Sequence, residues 1–215
     1  DGLVKSIEII SGSVTAENNN GVAIGTNNKD NEGTLKVCAD AKLYVSAMTN
    51  DRRGGSGAVG GMTIDAEEDA WFIAYAGVNG EILVNSQTKE NQTYFHGVFR
   101  SNELSTTSYQ FEINNAANTA ANREVTFPTG VAQFMVSIPG GTYTVEGKEE
   151  GSTARPSKYL GQKETETNLV SDYEVTASST TKYIEIQKES VPYFWQAGAK
   201  NITFDSADIY AEVDT

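Results

Sequence analysis

The chain is short of the residues that build helices and catalytic centres. Of 215 residues only 7 are Leu, 4 are Pro, one is Cys and one is His. Against those 7 Leu stand 17 Val and 13 Ile. Leu favours helices, whereas β-branched residues suit a pleated, half-buried surface. A helical bundle and a doubly wound α/β enzyme are therefore disfavoured, and an all-β chain is expected. No run approaches the ~18 apolar residues that a membrane-spanning helix needs. Basic residues are also few, with 16 Lys+Arg against 29 Asp+Glu and a net charge of −13. That balance leaves no electrostatic footprint for nucleic acid or anionic lipid. The single Cys38 excludes an intrachain disulfide, and Val37-Cys38-Ala39 reads as a small buried hydrophobe.

Thr, Ser and Asn are abundant, at 22, 17 and 17 residues. Apolar residues make up 38%, too many for a disordered chain. This composition fits an exported, extracellular protein, and the opening Asp1-Gly2-Leu3 without Met fits a processed mature form.

Period-2 patterns dominate the chain. Leu35, Val37, Ala39, Ala41, Leu43, Val45 and Ala47 alternate with Lys36, Asp40, Lys42 and Ser46, which reads as two strands or one bulged strand. The continuous run Trp71–Ala76 predicts a central strand buried on both faces. Val78-Asn79-Gly80-Glu81 reads as a hairpin turn into Ile82–Val84, and Pro139-Gly140-Gly141 as a hairpin between Val131–Ile138 and Thr142–Val145. Further strands are expected near Tyr94–Phe99, Tyr109–Ile113, Glu124–Phe127, Tyr173–Ala177, Tyr183–Gln187 and Ile202–Phe204. Asn18–Gly33, Gly54–Gly61 and Lys148–Thr167 read as loops. No internal repeat is visible. About ten or more short strands imply an antiparallel β-sandwich or jelly roll with long loops.

Few residues point to catalysis. His96 stands alone, and no nucleophile motif accompanies it. Gly55–Gly60 matches G-x-G-x-x-G as a string, but it lacks the preceding strand and following helix of a phosphate site. The acids are more suggestive. Asp65, Glu67, Glu68 and Asp69 crowd five positions; Asp30 and Glu32 sit in a Gly-rich loop; Asp205 and Asp208 lie in a C-terminal stretch without cations. Calcium takes six to eight oxygen ligands, which such segments supply, and it relieves repulsion between neighbouring acids. A solvated acidic face is the more ordinary explanation of each cluster taken singly. Tyr193 and Trp195 offer a stacking platform for sugar, and Trp71 reads as core.

The N-terminal segment Leu3-Val4-Lys5-Ser6-Ile7-Glu8-Ile9-Ile10 is β-prone and apolar. Paired within the chain it is an ordinary first strand; projecting, it is a donor for a neighbour's sheet edge. Head-to-tail donation of that kind builds open filaments.

The stretch Ser11–Ser46, SGSVTAENNNGVAIGTNNKDNEGTLKVCADAKLYVS, resembles the start of the cannula subunits of hyperthermophilic archaea. The resemblance implies an exported β-sandwich that assembles into extracellular tubules with calcium by strand exchange. It carries no individual residues across. The 17 Asn, including Asn20-Gly21 and Asn79-Gly80, depart from the composition of hyperthermophile proteins.

Together these readings make the expected protein a non-enzymatic structural subunit of an extracellular filament or tubule. Residues 1–16 would be the donor segment, with Leu3, Val4, Ile7, Ile9 and Ile10 at the subunit interface, and 17–215 a single β-sandwich domain. Calcium is the expected ion and further copies of the chain the expected partners. The competing expectation is a secreted carbohydrate-binding module with a structural calcium and Tyr193 and Trp195 on the sugar.

Overall fold

The computed structural model describes residues 5–27, 33–48, 56–100, 104, 106–176, 180–190, 193–200 and 208–214, with Thr180 and the last two ranges described by backbone alone. The first ten strands are β1 (Ser6–Ile9), β2 (Gly12–Glu17), β3 (Val22–Gly25), β4 (Gly33–Val37), β5 (Ala41–Ala47), β6 (Gly57–Gly60), β7 (Met62–Ala66), β8 (Trp71–Gly77), β9 (Glu81–Val84) and β10 (Gln87–Thr88). Every third strand returns to the same sheet. β1, β4, β7 and β10 form one wall, β2, β5 and β8 a second, and β3, β6 and β9 a third. All of these pairs are parallel. Residues 6–88 are therefore a three-sided parallel β-solenoid of three rungs.

Alternation explains the winding. Within each strand one set of side chains faces the solenoid axis, and parallel register stacks like on like. Ile7, Leu35 and Ile64 form one column, and Ile9, Val37 and Ala66 the next. On the second wall the columns are Val14, Leu43 and Phe72, then Ala16, Val45 and Ala74. Short backbone turns make the corners, with Ala41 N–H donating to Cys38 O and Gly80 N–H to Gly77 O at 2.9 and 3.0 Å. Gly60 is required where walls approach, because a Cβ there would stand 2.5 Å from the Thr26 carbonyl oxygen.

The remaining strands are β11 (Tyr94–Phe99), β12 (Tyr109–Asn114), β13 (Arg123–Phe127), β14 (Val131–Ser137), β15 (Gly141–Glu149), β16 (Ser157–Lys163), β17 (Leu169–Val170), β18 (Tyr173–Val175), β19 (Thr180–Lys188), β20 (Tyr193–Lys200) and β21 (Asp208–Asp214). A single 3-10 turn spans Thr119–Ala121. β14 pairs antiparallel with β8 and so extends the solenoid's second wall into a long sheet ordered β13-β12-β15-β16-β19-β11-β14-β8-β5-β2. That sheet folds over itself. Phe127 near one end lies 5.1 Å, ring to ring, from Phe134 and 5.7 Å from Tyr75. The interior is aromatic, and its buried tyrosines are satisfied. Tyr143 donates to Pro139 O at 2.7 Å, and Tyr173 to Tyr159 O at 2.8 Å. β20 and β21 pair antiparallel with each other.

The all-β, sandwich-like character expected from composition is what the chain adopts, and β8 is indeed buried on both faces. Phe72, Ala74 and Ala76 belong to the solenoid core, while Ile73 and Tyr75 belong to the aromatic core. Other expectations are corrected. A structural repeat exists, with register partners 28 and 29 residues apart at Ser6, Thr34 and Thr63. Loops of unequal length and varied inward residues hide that period in the sequence. Neither expected hairpin forms, since β9 crosses to a different wall from β8 and β15 pairs with β12, β16 and β18. The expected loop 54–61 contains the buried strand β6, whose glycines accommodate Val22 and Val84 from adjacent rungs. The expected loops 18–33 and 148–167 hold β3 and β16. Strands were expected near Ile202–Phe204, which lies outside the described residues.

Because one strand serves both cores, Phe72→Ala is expected to cost about 3–5 kcal/mol and to lower the melting of the whole chain. The near-ultraviolet signal of the aromatic core should fall in the same transition as the far-ultraviolet β signal. An unchanged aromatic transition would mean that the two cores fold independently.

Candidate functional site

The two ends of the solenoid differ. The lower end is partly covered by the chain itself: β14 pairs with β8 there, while β9 and β10 end their sheets. Met135 on β14 and Tyr94 on β11 pack into the solenoid core beneath the third rung. Polar neighbours satisfy the backbone there: Ser137 Oγ donates to Ala70 O at 2.7 Å and accepts Phe72 N–H at 3.0 Å, and Gln133 Nε2 donates to Gly80 O at 2.9 Å. Gln92 Oε1 accepts both Ala66 N–H and the Tyr94 hydroxyl, at 3.0 and 2.7 Å.

The upper end has no such cover among the described residues. β1, β2 and β3 are each the terminal strand of their sheet. Down one column exposure falls from 37% at Val14 to 0% at Leu43 and 0% at Phe72. Ile7, Ile9, Ala16 and Ala23 reach only partial burial, and Ile10 is 67% exposed. The direction of the free edge follows from two bonds. Gly12 N–H donates to Asp40 O and Asn18 N–H to Ser46 O, at 3.2 and 3.1 Å. Even-numbered amides of β2 thus aim at β5, and the N–H and C=O groups of Ser13, Thr15 and Glu17 point away from it. Three unpaired strand edges around a partly covered apolar centre make a template for another chain.

The acids at 65–69 are divided between cationic partners and solvent. Asp65 accepts from Lys89 Nζ at 2.7 Å and Gln92 Nε2 at 2.6 Å. Glu67 accepts Ala39 N–H at 2.9 Å and lies 3.5 Å from Lys36 Nζ. Glu68 and Asp69 are exposed on the turn before β8. Among the described residues no three His, Cys, Asp or Glu side chains converge as a metal site. The reason is register. Parallel stacking places Glu8 beside Lys36 and Lys36 beside Asp65, with Lys89 following, so charges alternate down the outer face of the first wall. Lys36 at 2.9 Å holds the Glu8 carboxyl below its usual range. Burial raises the neighbouring Cys38 thiol. Exposed pairs of this kind contribute at most about 1 kcal/mol each. Asp30, Glu32 and Asp205 lie outside the described residues, and Asp208 is described by backbone alone on β21.

Of the expected interface residues, Ile7 and Ile9 pack against their own solenoid, since β1 pairs with β4 over Ser6–Ile9. Leu3 and Val4 lie outside the described residues, and Ile10 is solvent-facing. Tyr193 and Trp195 occupy β20, where only the backbone is described. Trp71 is no open sugar platform: Lys42 Nζ stands 3.9 Å from its ring centroid and Arg123 Cζ 5.2 Å. A cleft of about 360 Å³ lies between the solenoid and the aromatic unit, lined by Glu67, Glu68, Asn91, Gln92, Thr93 and Gly140. Several of its polar groups are already engaged, Thr93 with Ile138 O and Gln92 as above.

Val14 and Thr15, central to the bare end, carried no signal in the sequence reading. Aligning Ile7, Leu35 and Ile64 would have placed β2 on the outermost rung. The stretch Ser11–Ser46 covers the latter part of that rung and the start of the second. Compared with protein-family models, curated proteins and solved structures, the chain finds no match. No helix among the described residues is long and apolar enough to cross a membrane.

His96 faces Gln133 at 3.4 Å, with Lys182 and Glu164 nearby, and burial lowers its pKa from 6.5. The unfolded chain therefore takes up this proton first on acidification. The His96 contribution is fully present above about pH 6.5 and declines as pH falls toward the lowered folded value. His96→Gln is expected to reduce the loss of thermal midpoint between about pH 7.5 and about pH 5.5. An identical pH slope in the variant would count against that burial.

Proposed function

We propose that this protein is a structural subunit of an extracellular assembly that associates with its own copies by β-strand pairing at the first solenoid rung. The observation that carries the reading is the asymmetry of the second wall, whose lower strand β8 is paired with β14 over Met135 and Tyr94, whereas its upper strand β2, like β1 and β3, has no further partner strand among the described residues. Solenoids need capped ends to remain apart in solution. An uncapped rung offers both unpaired backbone and apolar surface. The segment proposed to join copies is thus a strand seated in its own sheet, which contributes its outer edge; within the expected donor, Ser6–Ile9 pairs with β4 of its own chain.

Thr15→Pro tests the reading. Its amide points away from β5, so the substitution removes a donor from the free edge while sparing the β2–β5 ladder. The expected result is unchanged thermal stability and loss of association in sedimentation velocity at concentrations where the parent chain associates. A variant that associates normally would refute edge pairing at β2.

Calcium belongs to this reading as a counter-charge between copies, each carrying −13. Chelation is expected to shift the parent toward monomer in the same experiment, and an unaltered distribution would remove the metal from the account.

A further inference from the structure

We infer that the chain docks a second copy first rung to first rung, about a two-fold axis through Thr15. This inference rests on the edge-pairing reading above and adds the orientation of the partner. A head-to-tail stack would need all three walls free at the other end of the solenoid; β9 and β10 end their sheets there, but β8 is taken by β14, with Met135, Tyr94, Gln133 and Ser137 against the third rung. Among the described residues, the cross-section that matches three free edges around an apolar centre is another first rung.

Turning one copy over reverses the sense in which its strands wind, so the free edges meet antiparallel. A two-fold axis through the second wall pairs β2 with its own copy and brings β1 of each chain to β3 of the other. The outward-pointing groups of Ser13, Thr15 and Glu17 set the register. Antiparallel strands exchange bonds in pairs of directly opposed residues. With Thr15 on the axis, Thr15 opposes Thr15 and Ser13 opposes the partner's Glu17, so all three outward residues of β2 are used. Centring on Val14 would instead oppose Glu17 to Ser11, which lies beyond Gly12, where φ is +81° and the strand ends.

Side chains agree with this register. Val14 falls opposite Ala16 on the apolar side, continuing the Leu43 and Val45 columns across the joint. No like charges oppose each other along β2, because Glu17 meets Ser13. β3 carries no charged residue, so Glu8 on β1 meets no carboxylate there. The contact is isologous and closes on itself. Growth beyond a dimer through this surface is thereby excluded.

The test uses the full chain with Cys38→Ser, to remove the native thiol, and Thr15→Cys. Opposed Cα atoms in a bonded antiparallel pair lie about 5.5 Å apart, within the range of about 4.4–6.8 Å that a disulfide spans. Mild oxidation is expected to yield a disulfide-linked dimer, and Ser13→Cys in the same background is expected to stay uncrosslinked. Circular dichroism on each variant verifies that it is folded, and the parent with Cys38→Ser alone supplies the association baseline. Association without a Thr15→Cys crosslink would overturn the head-to-head arrangement while leaving edge pairing intact. A crosslink at Ser13→Cys in place of Thr15→Cys would overturn the register. A parent chain that stays monomeric at every concentration would refute the edge-pairing reading itself.

Discussion

Strand β8 is the element on which the rest depends. It carries two cores at once, with Phe72, Ala74 and Ala76 on one side and Ile73 and Tyr75 on the other. Its two neighbours run in opposite senses, β5 parallel and β14 antiparallel. One wall of a solenoid thereby becomes the first strands of a folded-over antiparallel sheet without a linker. A buried strand has no free edge, and this one leaves no face for solvent either. The two units cannot shift against each other without breaking hydrogen bonds and apolar contact together.

The same junction determines which end of the solenoid is finished. Chain leaving the third rung passes through β10 into β11 and later β14, and these last two strands supply Tyr94 and Met135, which pack beneath the third rung. At the first rung no strand among the described residues does the same. Solenoid rungs are interchangeable in shape, and each buries its apolar interior against the next. The first rung therefore retains the half-covered Ile7, Ile9 and Ala16 and the outward backbone of β2. The alternating Glu8, Lys36, Asp65 and Lys89 face shows the complementary case, in which stacking turns scattered charges into satisfied neighbours.

Much of the local structure was legible. Alternation located the extended stretch that holds β4 and β5 without deciding between two strands and one bulged strand, and the unbroken apolar run at Trp71–Ala76 identified the doubly buried strand. Pairing was not legible. Asn79-Gly80 looks like a hairpin turn, yet at a solenoid corner the same dipeptide sends the chain to another wall. Gly57–Gly60 looks like a loop because glycine is common in loops, yet here it is buried where Val22 and Val84 lean across from neighbouring rungs. The acids at 65–69 look like metal ligands when read as neighbours in sequence. In the fold Asp65 and Glu67 lie beside Lys89 and Lys36, brought there by register across rungs.

The sequence alone determined the β-rich class, the acidic surface and the positions of most strands, because those follow from side-chain chemistry and from a two-residue period that needs no partner. Tertiary structure decided which strand lies beside which, the hidden rung spacing of 28 and 29 residues, and, among the described residues, a first rung whose three strands each end their sheet. Those properties belong to pairs of segments distant in the chain. A strand's edge is free or satisfied only in relation to another strand, and no single stretch of residues records that relation.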